Sequence, residues 1–318
     1  MRGGFVSCVV VMFGLFGCDS QELSPCHSKP WDDEVCIRGG WFTIGHAQVP
    51  NAPPACEEYG TCGDAAPSQQ AFAPSVKVHL KPFFIDKYPV SVKQYRACVD
   101  AGVCEVDCWT TKQCGDGRYW DYRDPALDDF AILGLNYRRA QDYCQWAGKR
   151  LVWEAEWERA ARGPDSTDYP WGNDPPTCEH YPCDLGTPPF GWSSWISYPV
   201  GSIPGDRSPE GVMEMVTNGG DVLADRWISG FTDLDPEAPF RPRASDLDKY
   251  VTRFGTFATE TYHGMNYPVP AWFRNQSPGF GGTRCARDDV DTKSPRRAIT
   301  PEYVRKRQEI LSGRRVTR

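Results

Sequence analysis

An irregular, loop-rich α+β fold is predicted by three observations. Large aromatics are abundant (12 Trp, 14 Tyr, 15 Phe), 30 Gly and 28 Pro mark many turns, and no long Ala/Leu/Glu/Lys helical pattern is present. The 318 residues suffice for a sizeable buried core, in one large domain or two small ones.

The elements follow in chain order. Met1-Arg2 precedes an apolar run from Phe5 to Gly17 that ends Leu15-Phe16-Gly17-Cys18. A basic start, a run too short to span a membrane and a small residue before the cut predict a secretory signal over residues 1–17. The last four residues resemble a bacterial lipobox. Cleavage there exposes Cys18 for lipidation, and several acyl chains anchor a protein stably in a membrane where one does not. Ordinary secretion without lipid is the alternative. Asp19 does not choose between inner and outer membrane. The predicted site is thus the cell envelope, periplasmic or on the outer surface.

Residues 18–35 read as a tether, and "CIRGGWFTIG" (36–45) as a strand closed by Gly45. Alternation through Val76, Val78 and Leu80, then Phe84 and Ile85, predicts further strand. It passes into a helix with the apolar face Val92, Tyr95, Ala97 and Val99. Residues 103–130 form a cysteine-rich insertion. A second helix, Tyr137 to Ala147, places Ala140, Tyr143, Cys144 and Ala147 on one face and stops at Gly148. A third starts near Glu154, buries Ala155, Trp157, Ala160 and Ala161, and ends at Gly163. Glu154 and Glu158 have spacing suited to acid–base work, but such pairs read first as solvated helix charges.

Fourteen cysteines in an exported chain read as disulfides. With Cys8 in the signal and Cys18 lipidated, short spacings suggest 26–36, 56–62, 98–104, 108–114 and 178–183. Cys144 and Cys285 remain as the long-range pair. Zinc is the weaker reading, since no Cys-x-x-Cys or adjacent His accompanies them. Net charge is −7, with nine Lys/Arg against four Asp/Glu in the basic tail 289–318. The acidic body argues against a nucleic-acid partner. The tail reads as a solvated, partly helical extension. No Gly-rich phosphate loop follows a strand.

"YCQWAGKRLVWEAEWERAARG" (143–163) resembles the signature of the formylglycine-generating enzyme, or sulfatase-modifying factor, family. "GGWFTIG" (39–45), "PFFIDKYPVSVKQYRACV" (82–99), "YPWG" (169–172), "YPVGSIPGDRSPEGVMEM" (198–215) and "GGTRCARD" (281–288) follow in the family's order. The resemblance covers residues 36–288 and implies a single α+β domain related to the C-type lectin fold. It also supports the Cys144–Cys285 pairing.

The resemblance does not carry the family's oxidase site with it. There, a cysteine pair holds copper, to which soft thiolates are suited. The matching positions fall at Thr259 and Gly264, and no cysteine lies between Cys183 and Cys285. No copper is therefore expected, and the catalytic cysteine pair is taken as lost. The positions that match the family's substrate groove, Thr259, Tyr262, His263, Gly264, Met265, Tyr267, Trp272 and Arg274, then form a binding groove for an unknown protein or small molecule. The alternative is an oxidase that works on a protein cysteine through an atypical metal site including His263 and Met265. A purely structural envelope protein is a third class. The family's calcium segment matches 217–222 and places Asp221 as an acidic ligand, the alternative being an Asp in a Gly-rich turn. A second family calcium segment reads Glu179-His180-Tyr181 here and is not expected to bind. Where the family pattern has Thr before Glu-Ala-Glu, this chain has Trp153, which offers no capping oxygen. Restoring Thr is expected to stabilise the helix provided Trp153 is not buried.

Overall fold

The computed structural model describes residues 23–45, 74–106, 122–174, 177, 179–180, 197–228, 230–244, 250–253, 268–270 and 281–290. Ten strands and three helices are present among them. In order they are β1 (Glu34–Ile37), β2 (Gly40–Ile44), β3 (Val76–Leu80), β4 (Phe83–Asp86), α1 (Val92–Asp100), α2 (Tyr137–Trp146), β5 (Arg150–Leu151) and α3 (Glu154–Arg162). Then come β6 (Gly220–Arg226), β7 (Tyr250–Arg253), β8 (Pro268–Pro270), β9 (Gly281–Gly282) and β10 (Cys285–Asp288). A 3-10 turn, Pro125–Leu127, lies between α1 and α2. This is the expected mixed α+β architecture.

Three sheets organise the chain. Their strand orders are β1-β4-β10-β5, β2-β3 and β8-β7-β6-β9, all antiparallel except the β6–β9 pair. The strand expected over 36–45 is two strands in two sheets. β1 pairs with β4 through Cys36 opposite Phe84, and β2 pairs with β3 through Phe42 opposite Val78. The break falls at one crossing point. Pro82 has no N–H to continue the ladder, and Gly39 packs so tightly on it that a Cβ would lie 2.7 Å from the proline ring.

Residues 23–35 correct the expected tether. Ser24 bridges to Gly39, Cys26 is disulfide-bonded to Cys36, and Glu34 opens β1 as a buried residue. At the other boundary, the Asp289 carboxylate accepts from the His27 N–H (2.6 Å), the Ser28 N–H (3.0 Å) and the Ser28 hydroxyl (2.8 Å). The first residue of the expected tail thus belongs to the folded body.

Helix α1 is closed by a capping box between Ser91 and Gln94. Its buried residues are Val92, Tyr95 and Cys98, while Ala97, assigned to the apolar face from the sequence, is exposed. The disulfide Cys98–Cys104 explains the register, because the bonded sulfur must face inward. Helix α2 begins at an Asn136 cap and ends before Gly148, which adopts φ 74°. Cys144 on α2 is bonded to Cys285 on β10, which ties the helix to the four-stranded sheet across 141 residues of sequence. The pairs expected at 56–62, 108–114 and 178–183 lie outside the described residues.

Two apolar clusters fill the interior. One joins α1 and α2 to β6 through Tyr95, Ile132, Tyr137, Tyr143, Leu151 and Val222. The other packs α3 against β1–β4 through Ile37, Phe42, Val78, Ile85, Trp157 and Leu223.

Candidate functional site

Helix α3 is the structural centre of the regions predicted to carry function. Its nine residues are all buried, including Glu154, Glu156, Glu158, Arg159 and Arg162. The expectation that Glu154 and Glu158 are solvated helix charges is therefore wrong. Arg253, at the end of β7, donates to both, at 3.0 Å to Glu154 and as a close pair to Glu158. Arg241 approaches Glu154 at 3.4 Å. Arg162 pairs with Glu158 on its own helix, and Glu158 also accepts from the Gly45 N–H at 2.7 Å. Burial on this scale needs mutual neutralisation, since an unpaired ion costs several kcal/mol in a low-dielectric interior.

Trp153 leaves the α3 terminus without a side-chain cap of its own. The missing acceptor comes from another strand, where Asp225 on β6 accepts from the Glu154 N–H at 2.6 Å and from the Arg241 N–H at 3.2 Å. Burial, with the Glu154 carboxylate close by, pushes the Asp225 carboxyl up to about 8. The Trp153 ring lies against Phe240 (5.3 Å between centroids) and under Arg243 (4.5 Å). Trp153 is half-buried, so restoring Thr there would also remove these ring contacts.

Asp221, the expected calcium ligand, sits on β6 beneath α3. Its Oδ2 accepts from Trp157 Nε1 at 2.7 Å and from Arg284 Nε at 2.6 Å. The Arg284 guanidinium also donates to the carbonyls of Met213 and Glu214, both at 3.0 Å. A carboxylate already paired with a fixed guanidinium is a poor place for a second cation, so the residues present do not fit calcium at Asp221. No cluster of three or more His, Cys, Asp or Glu suited to a metal occurs among the described residues. His180 of the second segment stacks on Trp171 at 4.3 Å, and Trp171 in turn on Tyr169 at 5.0 Å.

The groove residues Thr259, Tyr262, His263, Gly264, Met265, Tyr267, Trp272 and Arg274 lie outside the described residues, as does Cys18. What is described is the frame from which that segment departs. Arg253 ends β7 on the Glu154–Glu158 network, and Gly281 and Gly282 begin the return as β9 beside β6.

Sequence reasoning missed a cleft among the described residues. A cleft of about 490 Å³ lies where the loop before β1, the end of β4, the start of α1 and the end of α2 converge. Its floor holds Lys149, which pairs with Asp86 and, at 2.8 Å, with Glu34. Burial opposes the ammonium, but those two carboxylates outweigh it and hold the Lys149 pKa above its usual value. Glu34 is fixed in turn by Arg287, whose guanidinium stacks under Trp31 at 4.5 Å. No local motif marks this cleft, because its walls come from four separated segments.

The chain is thus a mixed α+β domain clamped by a disulfide between its second helix and last strand, with a buried ionic helix at its centre. The chain belongs to the sulfatase-modifying factor enzyme 1-like domain family, whose model matches residues 19–288. The formylglycine-generating enzyme of Thermomonospora curvata is 28% identical, aligned over 80% of this chain and 93% of that protein. Inactive C-alpha-formylglycine-generating enzyme 2 of Bos taurus is 29% identical over 43% of this chain and 57% of its own length. The uncharacterized protein YfmG of Bacillus subtilis is 33% identical over 45% of this chain, a match that spans only 28% of that protein. Among solved structures, PvdO from Pseudomonas aeruginosa superposes with a TM-score of 0.56 at 21% identity, covering 80% of this chain and 94% of that one, a likeness of fold.

Proposed function

We propose that this is an exported, lipid-anchored envelope protein whose sulfatase-modifying-factor-like domain binds a ligand or protein partner and has no oxidase activity. One observation carries the reading. The positions matching the copper-binding cysteines are Thr259 and Gly264, and no cysteine lies between Cys183 and Cys285. Cys285 itself is committed to Cys144. A thiolate pair for Cu(I) has no donors in this part of the chain. The existence of a relative named as inactive is consistent with a domain kept for recognition.

The groove residues from Thr259 to Arg274 supply aromatic and arginine groups of the kind that anchor contacts. Export is supported by the three disulfides 26–36, 98–104 and 144–285, which persist in oxidising compartments. Anchoring rests on the lipobox-like residues 15–18, and incorporation of labelled fatty acid in the expressing bacterium is expected to vanish in Cys18→Ser.

The competing reading is an oxidase with an atypical site at His263 and Met265, favoured by the extent of the match to a formylglycine-generating enzyme. Purified protein is to be incubated with copper, oxygen and a Cys-x-Pro-x-Arg peptide. No formylglycine above the protein-free control is expected. Formation of formylglycine overturns the binding reading, and its loss in His263→Ala assigns the chemistry to the atypical site.

A further inference from the structure

None of the residues lining the cleft above Lys149 is one matched to the family's substrate groove. Its walls combine an apolar base, including Val90 and Val200, with a few polar groups, and about 490 Å³ is within the range of small-molecule sites. Three kinds of polar residue lining it have no side-chain partner among the described residues.

The first is the Tyr143 hydroxyl. Its residue is 6% exposed, and the ring is packed between Tyr95 and Trp146, each 5.8 Å away. Tyr143 lines the cleft, and its hydroxyl makes no hydrogen bond among the described residues. A Tyr hydroxyl that makes no bond to the described protein is available to a bound group or water. The second is a pair of carboxylates, Asp32 and Asp33, on the loop that precedes β1. Both side chains are exposed and neither forms an ion pair among the described residues. Asp33 adopts φ 60°, and its carbonyl accepts from the Lys87 N–H at 2.7 Å, so the loop is held in one conformation. The third is the Lys93 ammonium, in the first turn of α1, equally without a counter-ion among the described residues.

By contrast, the floor is internally neutralised, because Lys149 is taken up by Asp86 and Glu34. Free acids on one segment and a free ammonium with a phenol on two others match a ligand of both signs. We propose that the cleft binds a small zwitterion, a cationic amine joined to a carboxylate through a short apolar spacer. Asp32 and Asp33 hold the amine, Lys93 and the Tyr143 hydroxyl hold the carboxylate, and Val90 and Val200 contact the spacer.

The test uses the soluble mature chain with Cys18→Ser, titrated calorimetrically with 6-aminohexanoate and with its singly charged counterparts, hexylamine and hexanoate. Saturable binding of 6-aminohexanoate is expected, at least about tenfold tighter than either counterpart, since each lost charged contact is worth roughly a factor of ten. Asp32→Asn/Asp33→Asn and Lys93→Met are each expected to weaken it about tenfold or more. Asn tolerates the left-handed conformation at residue 33, so the loop is retained. Tyr143→Phe is expected to weaken binding several-fold with an unchanged melting temperature, because its hydroxyl makes no bond among the described residues. Absence of saturable binding up to 10 mM (on the order of the weakest specific affinities) overturns the proposal. Equal affinity for hexylamine or hexanoate does so too, as does unchanged affinity in a variant whose melting temperature shows it folded.

Discussion

A buried carboxylate that accepts two backbone N–H groups and faces another acid has a protonation state coupled to folding. Asp225 is such a residue, with its folded pKa near 8 against 3.8 for the ordinary group. Asp206, raised by burial to about 6, behaves alike; its Oδ2 accepts from Val216 and Thr217 while its Oδ1 has no partner among the described residues. Since both folded values exceed the unfolded one, the folded state binds the extra proton. The stability these groups confer is complete below about pH 4 and is lost as pH rises through about 6 and then about 8. The melting temperature is therefore expected to fall between pH 5 and 9 (roughly the span of the two titrations), and in Asp225→Asn the fall above pH 7 is expected to flatten. An opposite contribution comes from Asp289, lowered to about 2 against opposing burial by its bonds to His27 and Ser28, but it acts only at much lower pH. Trp153 supplies the second residue-scale prediction. Trp153→Thr introduces a cap that Asp225 already provides and removes the contacts with Phe240 and Arg243. A loss of about 1–2 kcal/mol in denaturant unfolding is expected, instead of the gain that the bare helix pattern suggests.

At the scale of elements, α3 shows why helical periodicity misreads some charges. Periodicity identifies one apolar face and leaves the other to solvent. Here the second face is covered by β6, β7 and the segment around Arg241, so its charges are paired instead of hydrated. Glu158→Ala leaves Arg162 and Arg253 buried without their shared counter-ion and is expected to cost about 3–5 kcal/mol, read as a shift in urea midpoint. Cys144→Ala/Cys285→Ala releases α2 from β10 and is expected to cost about 2–5 kcal/mol by the same measurement. The strand expected over 36–45 divides because Gly39 and Pro82 meet at a sheet crossing, a pairing of residues 43 positions apart that no local pattern contains. In α1 the apolar face read from the sequence included Ala97, whereas Cys98 takes the inward place through its bond to Cys104.

Over the whole molecule, the ordered motifs from "GGWFTIG" to "GGTRCARD" made the family legible, because each lies on an element or tight turn of the common fold. The three described disulfides were legible for a different reason. Cysteine spacing limits which pairs can close short loops, and one distant pair remained. The absence of cysteine from residues 184 to 284 was equally plain, and it is chemistry that no packing can supply. Three-dimensional packing was needed for the noncovalent contacts between distant residues. It made Asp225 the cap of α3, gave Asp221 to Arg284 and Trp157 in place of a cation, and turned two apparent surface glutamates into a buried network. It also assembled a cleft from four segments around Lys149. The physical reason is common to all of these. Residue type sets what a group can bond, but burial and the approach of remote charges set which bonds it makes and whether it keeps its proton.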